Sequence, residues 1–193
     1  MEEKLLEYPT LEQMEQEVDR LRYQKRYGRA LRGTVYALIV VAAMAILVAV
    51  LWMPVLQITG VSMSPTLNDG DLVVAVKTSD YQTGDIAAFY YNNKILIKRV
   101  IASPGDWVDI DNAGNVYVNG ALLEEPYRTE KSLGECNITL PYQVPDGRIF
   151  VMGDDRAVSL DSRTTAVGPI GREQVLGRVL VRVWPLSAVG KIS

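Results

Sequence analysis

Along the chain, the spacing of apolar and polar positions changes character twice. Residues 1–33 are dense in charge, and Thr34 to Met53, "TVYALIVVAAMAILVAVLWM", carries none. From Pro54 onward apolar positions tend to recur every second residue, in short runs broken by glycine, proline and asparagine. The first change predicts a helix and the second a β-rich remainder.

The uncharged zone is 20 residues long. As a helix rising ~1.5 Å per residue it would span ~30 Å, the thickness of a bilayer's hydrocarbon core. A buried core helix seldom runs so far without a polar position. A cleavable signal peptide has a shorter apolar run of ~7–15 residues, closed by a small-x-small site. The zone is therefore predicted to be a retained membrane span, with Tyr36 and Trp52 at its two interfaces. Arg20, Arg22, Lys25, Arg26, Arg29 and Arg32 precede it, whereas the other flank has no Lys or Arg before Lys77. By the positive-inside rule the N-terminus faces the cytoplasm, and residues 54–193 lie outside the cell membrane.

Inside the charged leader, Pro9-Thr10 followed by Gln13 reads as a capping box, and Leu11, Met14, Val18 and Leu21 share one helical face. Lys25 breaks that face, so a short amphipathic cytoplasmic helix is expected rather than a long coiled coil. The expected divisions are 1–33 for the leader, 34–53 for the span and 54–193 for an extracytoplasmic β domain.

In that last region, strands are predicted at 71–77, 85–91, 95–101, 106–110, 116–120, 148–154 and 177–185. Asn92-Asn93 and "DNAGN" (Asp111 to Asn115) read as hairpin turns, and "SPGD" (Ser103 to Asp106) as a bend. Thr164 to Gly177 reads as irregular, with a helical turn near Arg172 to Val175. The expected fold class is mainly β, an antiparallel sandwich or barrel-like domain preceded by one transmembrane helix.

Composition narrows the chemistry. A net charge of −3 with both signs scattered along the chain argues against nucleic acid as a partner. One cysteine, Cys136, and no histidine leave zinc or haem almost without ligands, and no cofactor is expected. "TGVSMSPTL", Thr59 to Leu67, places Ser62 and Ser64 around Met63 just after the span. With no histidine, a nucleophilic serine needs another base, and a lysine serves if it is neutral. Neutrality near pH 7 requires the ordinary pKa of ~10.4 to fall by roughly three units through burial. Lys98, among Ile95, Leu96, Ile97, Val100 and Ile101, is the candidate. Neighbouring strand residues point to opposite faces, so one of Lys98 and Arg99 should lie on the drier side. From the pattern alone, an edge-strand charge and a buried base remain equally open for Lys98, and a plain turn serine remains open for Ser62.

"GVSMSPTL", "GDIAAF" (Gly84 to Phe89), "IKRVIASPGD" (Ile97 to Asp106), "VYVNG" and "GDDRAVSLDSR" (Gly153 to Arg163) follow one another downstream of an apolar anchor. In content and order they resemble the bacterial type I signal peptidases, from the span to about Val183. The resemblance implies a membrane-bound serine endopeptidase with an antiparallel β-sheet domain of signal peptidase type. Such an enzyme removes signal peptides from exported preproteins at Ala-x-Ala-like sites. It implies Ser62 as nucleophile and Lys98 as general base, with Ser64 at a variable position. It implies that Ser159 orients the lysine, that Asp161 and Arg163 form a supporting ion pair, and that Gly153, Asp154 and Arg156 complete that segment. Oxyanion stabilisation is expected from the Ser62 backbone N–H, near Gly60, where some relatives have a donating serine. Ile58, Met63, Leu67 and Ile97 are expected to contact substrate. The implied partners are signal-peptide-bearing preproteins, the lipid bilayer and the secretion translocon.

Asp155, Ala157 and Val158 depart from the family's usual polar residues. Ala157 and Val158 give the only foothold to a second reading, a catalytically inactive scaffold or pilus-assembly partner. Soluble self-cleaving repressors share the Ser-Lys chemistry but lack the anchor, and the endoplasmic-reticulum branch uses a histidine that this chain does not have.

Overall fold

A computed structural model of the chain describes residues 11–192 apart from residues 79 and 129. Two compact units are present, one up to Ala49 and one from Val50.

Helix α1 runs without a break from Leu11 to Trp52, 42 residues. Two separate segments, a leader helix and a span, were expected; one helix joins them. The reason is local. Between Arg22 and Gly33 there is no proline, and Gly28 and Gly33 each cost only ~1 kcal/mol relative to alanine among good helix formers. Its apolar part has a mean hydropathy of 2.8 and none of it is buried, so one helix is long and apolar enough to cross a membrane. Leu11, Met14, Val18 and Leu21 are all exposed. Pro9 and Thr10 lie outside the described residues, and the capping box with them.

Among its described residues the second unit contains twelve strands: β1 (Val55–Gln57), β2 (Leu72–Val76), β3 (Ile86–Tyr91), β4 (Lys94–Ala102), β5 (Trp107–Ile110), β6 (Val116–Val118), β7 (Ala121–Leu122), β8 (Tyr142–Gln143), β9 (Arg148–Met152), β10 (Ile170–Gly171), β11 (Val175–Trp184) and β12 (Gly190–Lys191). Every pairing is antiparallel. One sheet has the order β1-β2-β11-β3-β4-β9-β10, with β12 added to β11; the other has the order β7-β6-β5-β8. All seven predicted strands are present within one or two residues at most ends. The three-residue β1 and the two-residue β7, β8, β10 and β12 were not foreseen, because so short a run carries no alternation to detect. A 3-10 turn at Arg172–Gln174 occupies the place of the expected helical turn.

Turn chemistry sets the β3–β4 hairpin. Asn92 and Asn93 both have positive φ, 42° and 60°. That is the geometry of a two-residue turn whose twist matches its strands, and asparagine tolerates it. The hairpin register places Lys98 opposite Ala87 and Arg99 opposite Ile86. Along β3, Ile86 and Ala88 pack into one core cluster, with Met63, Leu67 and Val73, while Ala87 and Phe89 pack into another, with Val100 and Val151. Both faces of the sheet are therefore covered here. For this reason Lys98 and Arg99 are both buried, 3% and 1% exposed, where alternation on a half-wet sheet would leave one of them in water.

Candidate active site

Ser62 sits in the turn-rich segment between β1 and β2, and Lys98 in the middle of β4. Lys98 Nζ lies 2.5 Å from Ser62 Oγ. Ser64, the other serine of the pair, turns its hydroxyl to Asn68 Oδ1 at 3.1 Å. Burial holds the Lys98 ammonium down to a pKa of about 8, from an ordinary 10.5; Asp161 and Asp154 oppose the fall and Arg163 assists it. A buried amine loses hydration that its neutral form does not need, so the free base is favoured.

The two side chains lie in a cleft of about 220 Å³ lined by residues 55–60, Ser62, Met63 and residues 95–98. Its two long walls are unpaired strand edges. Among the described residues β1 pairs only with β2, and β4 from Lys94 to Lys98 pairs only with β3, β9 joining it from Arg99 onward. Ile58, Met63 and Ile97, expected to contact substrate, line this cleft. Leu67 does not: it is fully buried in the core with Met63 and Val73, so its expected contact with substrate is withdrawn.

Around Ser62 the main chain is held by the segment 153–163. Asp155 donates its backbone N–H to the Ser62 carbonyl at 3.1 Å. Gly153 passes so close that a Cβ there would overlap Ser159 Oγ and stand 2.5 Å from the Ser62 carbonyl oxygen. Asp161 and Arg163 form the expected ion pair at 2.9 Å, both fully buried. The pair is also a clamp: Asp161 Oδ2 accepts from the Gly153 N–H at 2.9 Å, and Arg163 donates to the carbonyls of Leu133, Arg156 and Ser159. Asp154 takes a two-point bond from Arg99, and Arg156 donates to the Gly153 carbonyl at 2.9 Å.

One expectation is corrected. Ser159 is buried against Gly153, but its hydroxyl has no hydrogen-bond partner among the described residues, so the bond that would orient Lys98 is not made. Gly60 offers no free donor beside Ser62. Its φ is +93°, and its N–H is taken by Asp69 Oδ1 at 2.7 Å. The Ser62 N–H itself bonds no described residue.

Tyr127 and Glu125 join the site without a sequence signal, and Thr66 and Gly84 take parts there that their motifs did not assign. Thr66 and the Gly84 carbonyl accept from Arg99, and the ring of Tyr127 stacks 3.7 Å from its guanidinium carbon. Glu125 is the acidic partner of Arg156. These contacts join positions far apart in the chain; among them the sequence singles out Arg99, beside Lys98 in an apolar run, and Arg156, in the segment 153–163. Among the described residues no group of three Cys, Asp or Glu side chains converges as metal ligands would.

Residues 31–184 match the sequence model of the family described as "Signal peptidase, peptidase S26". The thylakoidal processing peptidase 1 of Arabidopsis thaliana chloroplasts is 37% identical over 150 residues, which are 69% of this chain and 42% of that longer protein. Signal peptidase IB of Staphylococcus aureus strain COL is 39% identical over 151 residues, 67% of this chain and 77% of the relative. A crystal structure of a signal peptidase I from Enterococcus faecalis V583 aligns with a TM-score of 0.42 and 30% identity, covering 51% of this chain and 96% of that one. Because the family match begins inside α1 and ends on β11, it takes in every residue that lines the cleft, and the chain belongs to the signal peptidase family, peptidase S26, a family of serine peptidases.

Proposed function

We propose that the protein is a membrane-tethered endopeptidase that removes N-terminal signal peptides from exported preproteins with a Ser62–Lys98 dyad. The observation that carries this reading is the 2.5 Å approach of a buried lysine amine to a serine hydroxyl inside an open-edged cleft. In the working form Lys98 is neutral, so the hydrogen bond reverses and Ser62 donates. Lys98 takes that proton as Ser62 Oγ attacks the scissile carbonyl, and the backbone N–H of Ser62 faces the developing oxyanion. The amine then returns the proton to the leaving nitrogen. A water deprotonated by the same lysine hydrolyses the acyl-enzyme and restores the serine.

The signal peptide's cleavage segment enters extended, between the free edges of β1 and β4, bonded through its main chain to one or both. Leu56, Ile58, Met63 and Ile97 leave shallow apolar room for small side chains, which suits Ala-x-Ala-like sites. Helix α1 spans the membrane with its basic end in the cytoplasm, confining the enzyme to the surface where signal peptides are held and raising their mutual effective concentration. The bilayer and the translocon are its neighbours in that arrangement. The inactive-scaffold reading rests on Ala157 and Val158 alone, both exposed and neither on the cleft wall.

The test is cleavage of a preprotein with an Ala-x-Ala site, in liposomes, by the wild type and by Ser62→Ala, Lys98→Ala and Ser64→Ala. Loss in the first two variants with activity kept in the third supports the dyad. A folded wild type that cuts none of a panel of preproteins would favour the scaffold.

A further inference from the structure

Gly153 is held at both of its main-chain polar groups. Its N–H is taken by Asp161, inside the motif segment, and its carbonyl accepts from Arg156 Nε at 2.9 Å. Arg156 is 1% exposed in its side chain, and a guanidinium so buried needs an anion. Among the described residues that anion is Glu125, which follows β7 of the smaller sheet, and both of its carboxylate oxygens receive Arg156. The same carboxylate accepts from Arg128 at 2.5 Å and from the Tyr127 hydroxyl at 2.9 Å. Its side chain is only 7% exposed. One carboxylate thus serves two buried guanidinium groups and a phenol. Tyr127 in turn covers Arg99, the neighbour of Lys98 on β4.

The turn that Arg156 holds touches the nucleophile's main chain at two places, through the Asp155 N–H on the Ser62 carbonyl and through the bare Cα of Gly153 against the same oxygen. We propose that Glu125 is a positioning residue for Ser62: through Arg156 it presses the 153–155 turn onto the Ser62 carbonyl and so keeps the hydroxyl within reach of Lys98. The catalytic part of this inference rests on the proposed Ser62–Lys98 reaction; the structural part does not. A buried ion pair that merely stabilised the fold would, on weakening, loosen the whole unit. A positioning pair loosens one turn and slows turnover without weakening substrate binding, because the cleft walls at residues 55–60 and 95–98 are untouched.

The experiment uses the full chain in detergent micelles, comparing the wild type with Glu125→Gln and Glu125→Asp. Amide hydrogen exchange is followed at Asp155, with Val100 in the large sheet as the reference, alongside kcat and KM on a preprotein. Glu125→Gln is expected to speed exchange at Asp155 at least tenfold and leave Val100 within twofold. Its kcat is expected to fall about 10- to 100-fold with KM within twofold. Glu125→Asp keeps the charge but shortens the reach, and should fall between; it decides the matter if the glutamine variant does not fold. Unchanged exchange at Asp155, equal acceleration at both amides, or a wild-type kcat in the folded variants would overturn the inference. Should the wild type cut no preprotein, the proposed function fails and the exchange measurement alone judges Glu125.

Discussion

Arg99 grips Asp154 through two hydrogen bonds, Nε to Oδ1 at 2.9 Å and Nη2 to Oδ2 at 2.8 Å, one residue along β4 from Lys98. Both side chains are essentially without solvent contact, 1% and 0% exposed. The pair ties the strand that carries the lysine to the turn that supports Ser62. Removing one partner of a buried pair leaves a charge without compensation and typically costs about 3–5 kcal/mol, whereas replacing both by apolar side chains costs far less. Asp154→Ala is expected to lose about that much stability in urea unfolding of the full chain. The double variant Arg99→Met/Asp154→Leu should recover at least half of the loss. A double variant no better than the single would show that the guanidinium's bonds to Thr66 and Gly84 matter more than the pair.

The depressed pKa of Lys98, about 8, fixes the direction of the pH dependence. Only the neutral amine accepts the Ser62 proton. So kcat/KM should rise with pH as one proton is lost, with a midpoint near 8, and fall about tenfold per pH unit well below it. A profile flat from pH 6 to 9 would exclude Lys98 as the titrating base.

Stability follows the same titration with a definite sign. The unfolded lysine keeps its proton up to about 10.5 and the folded one only to about 8, so the unfolded state binds more protons between these values and stability rises with pH across that window. Below pH 8 the burial cost is fully present, about 3 kcal/mol at ~1.36 kcal/mol per unit. Lys98→Met is therefore expected to abolish cleavage and to raise stability at pH 7 by about 1–3 kcal/mol in thermal or urea unfolding. A destabilised methionine variant would contradict this account of the site.

Gly153 and Ser159 make a matched test of packing. A methyl group on Gly153 meets the Ser62 carbonyl oxygen at 2.5 Å, so Gly153→Ala must displace the Ser62 main chain. A kcat loss of at least about 100-fold is expected, with destabilisation of about 1–3 kcal/mol from overpacking. Ser159→Ala removes a buried hydroxyl that has no partner, and leaving such a group unmade costs about 1–3 kcal/mol. That variant should be at least as stable as the wild type and lose less than about tenfold in kcat. A far larger loss would mean that Ser159 bonds Lys98 during turnover.

Leu67 and Ile97 separate core from cleft. Leu67→Ala opens a cavity in a fully buried site and should cost about 2–5 kcal/mol while leaving KM of the folded fraction unchanged. Ile97 lines the cleft and is only half buried. Ile97→Ala should cost less and let the enzyme accept larger side chains than alanine at the cleavage site, read by comparing kcat/KM for Ala-x-Ala and Val-x-Ala substrates. Equal selectivity in the wild type and Ile97→Ala would remove Ile97 from the specificity surface.

Much of this was legible from residue order. An uncharged stretch of 20 residues, period-two runs punctuated by Asn-Asn and Gly-Asp, and a lysine set among isoleucines are local statements, and helix, strand and hairpin formation respond to local composition. The ordered motifs go further and pair Ser62 with Lys98 through their resemblance to a family. The joining of leader and span into one helix was missed because a single interrupted apolar position, Lys25, breaks a face but not a helix.

By itself the sequence determined the apolar helix and the antiparallel β domain, because each rests on neighbours in the chain, and its ordered motifs singled out Ser62 and Lys98 as a candidate dyad through their resemblance to a family. Only the tertiary structure decided that Lys98 and Arg99 are both dry, that Asp69 consumes the Gly60 N–H, that Ser159 leaves Lys98 alone, and that Glu125 sustains Arg156 from the other sheet. Burial and charge pairing are properties of surfaces that meet from distant segments. No period or motif encodes which carboxylate a buried guanidinium will find.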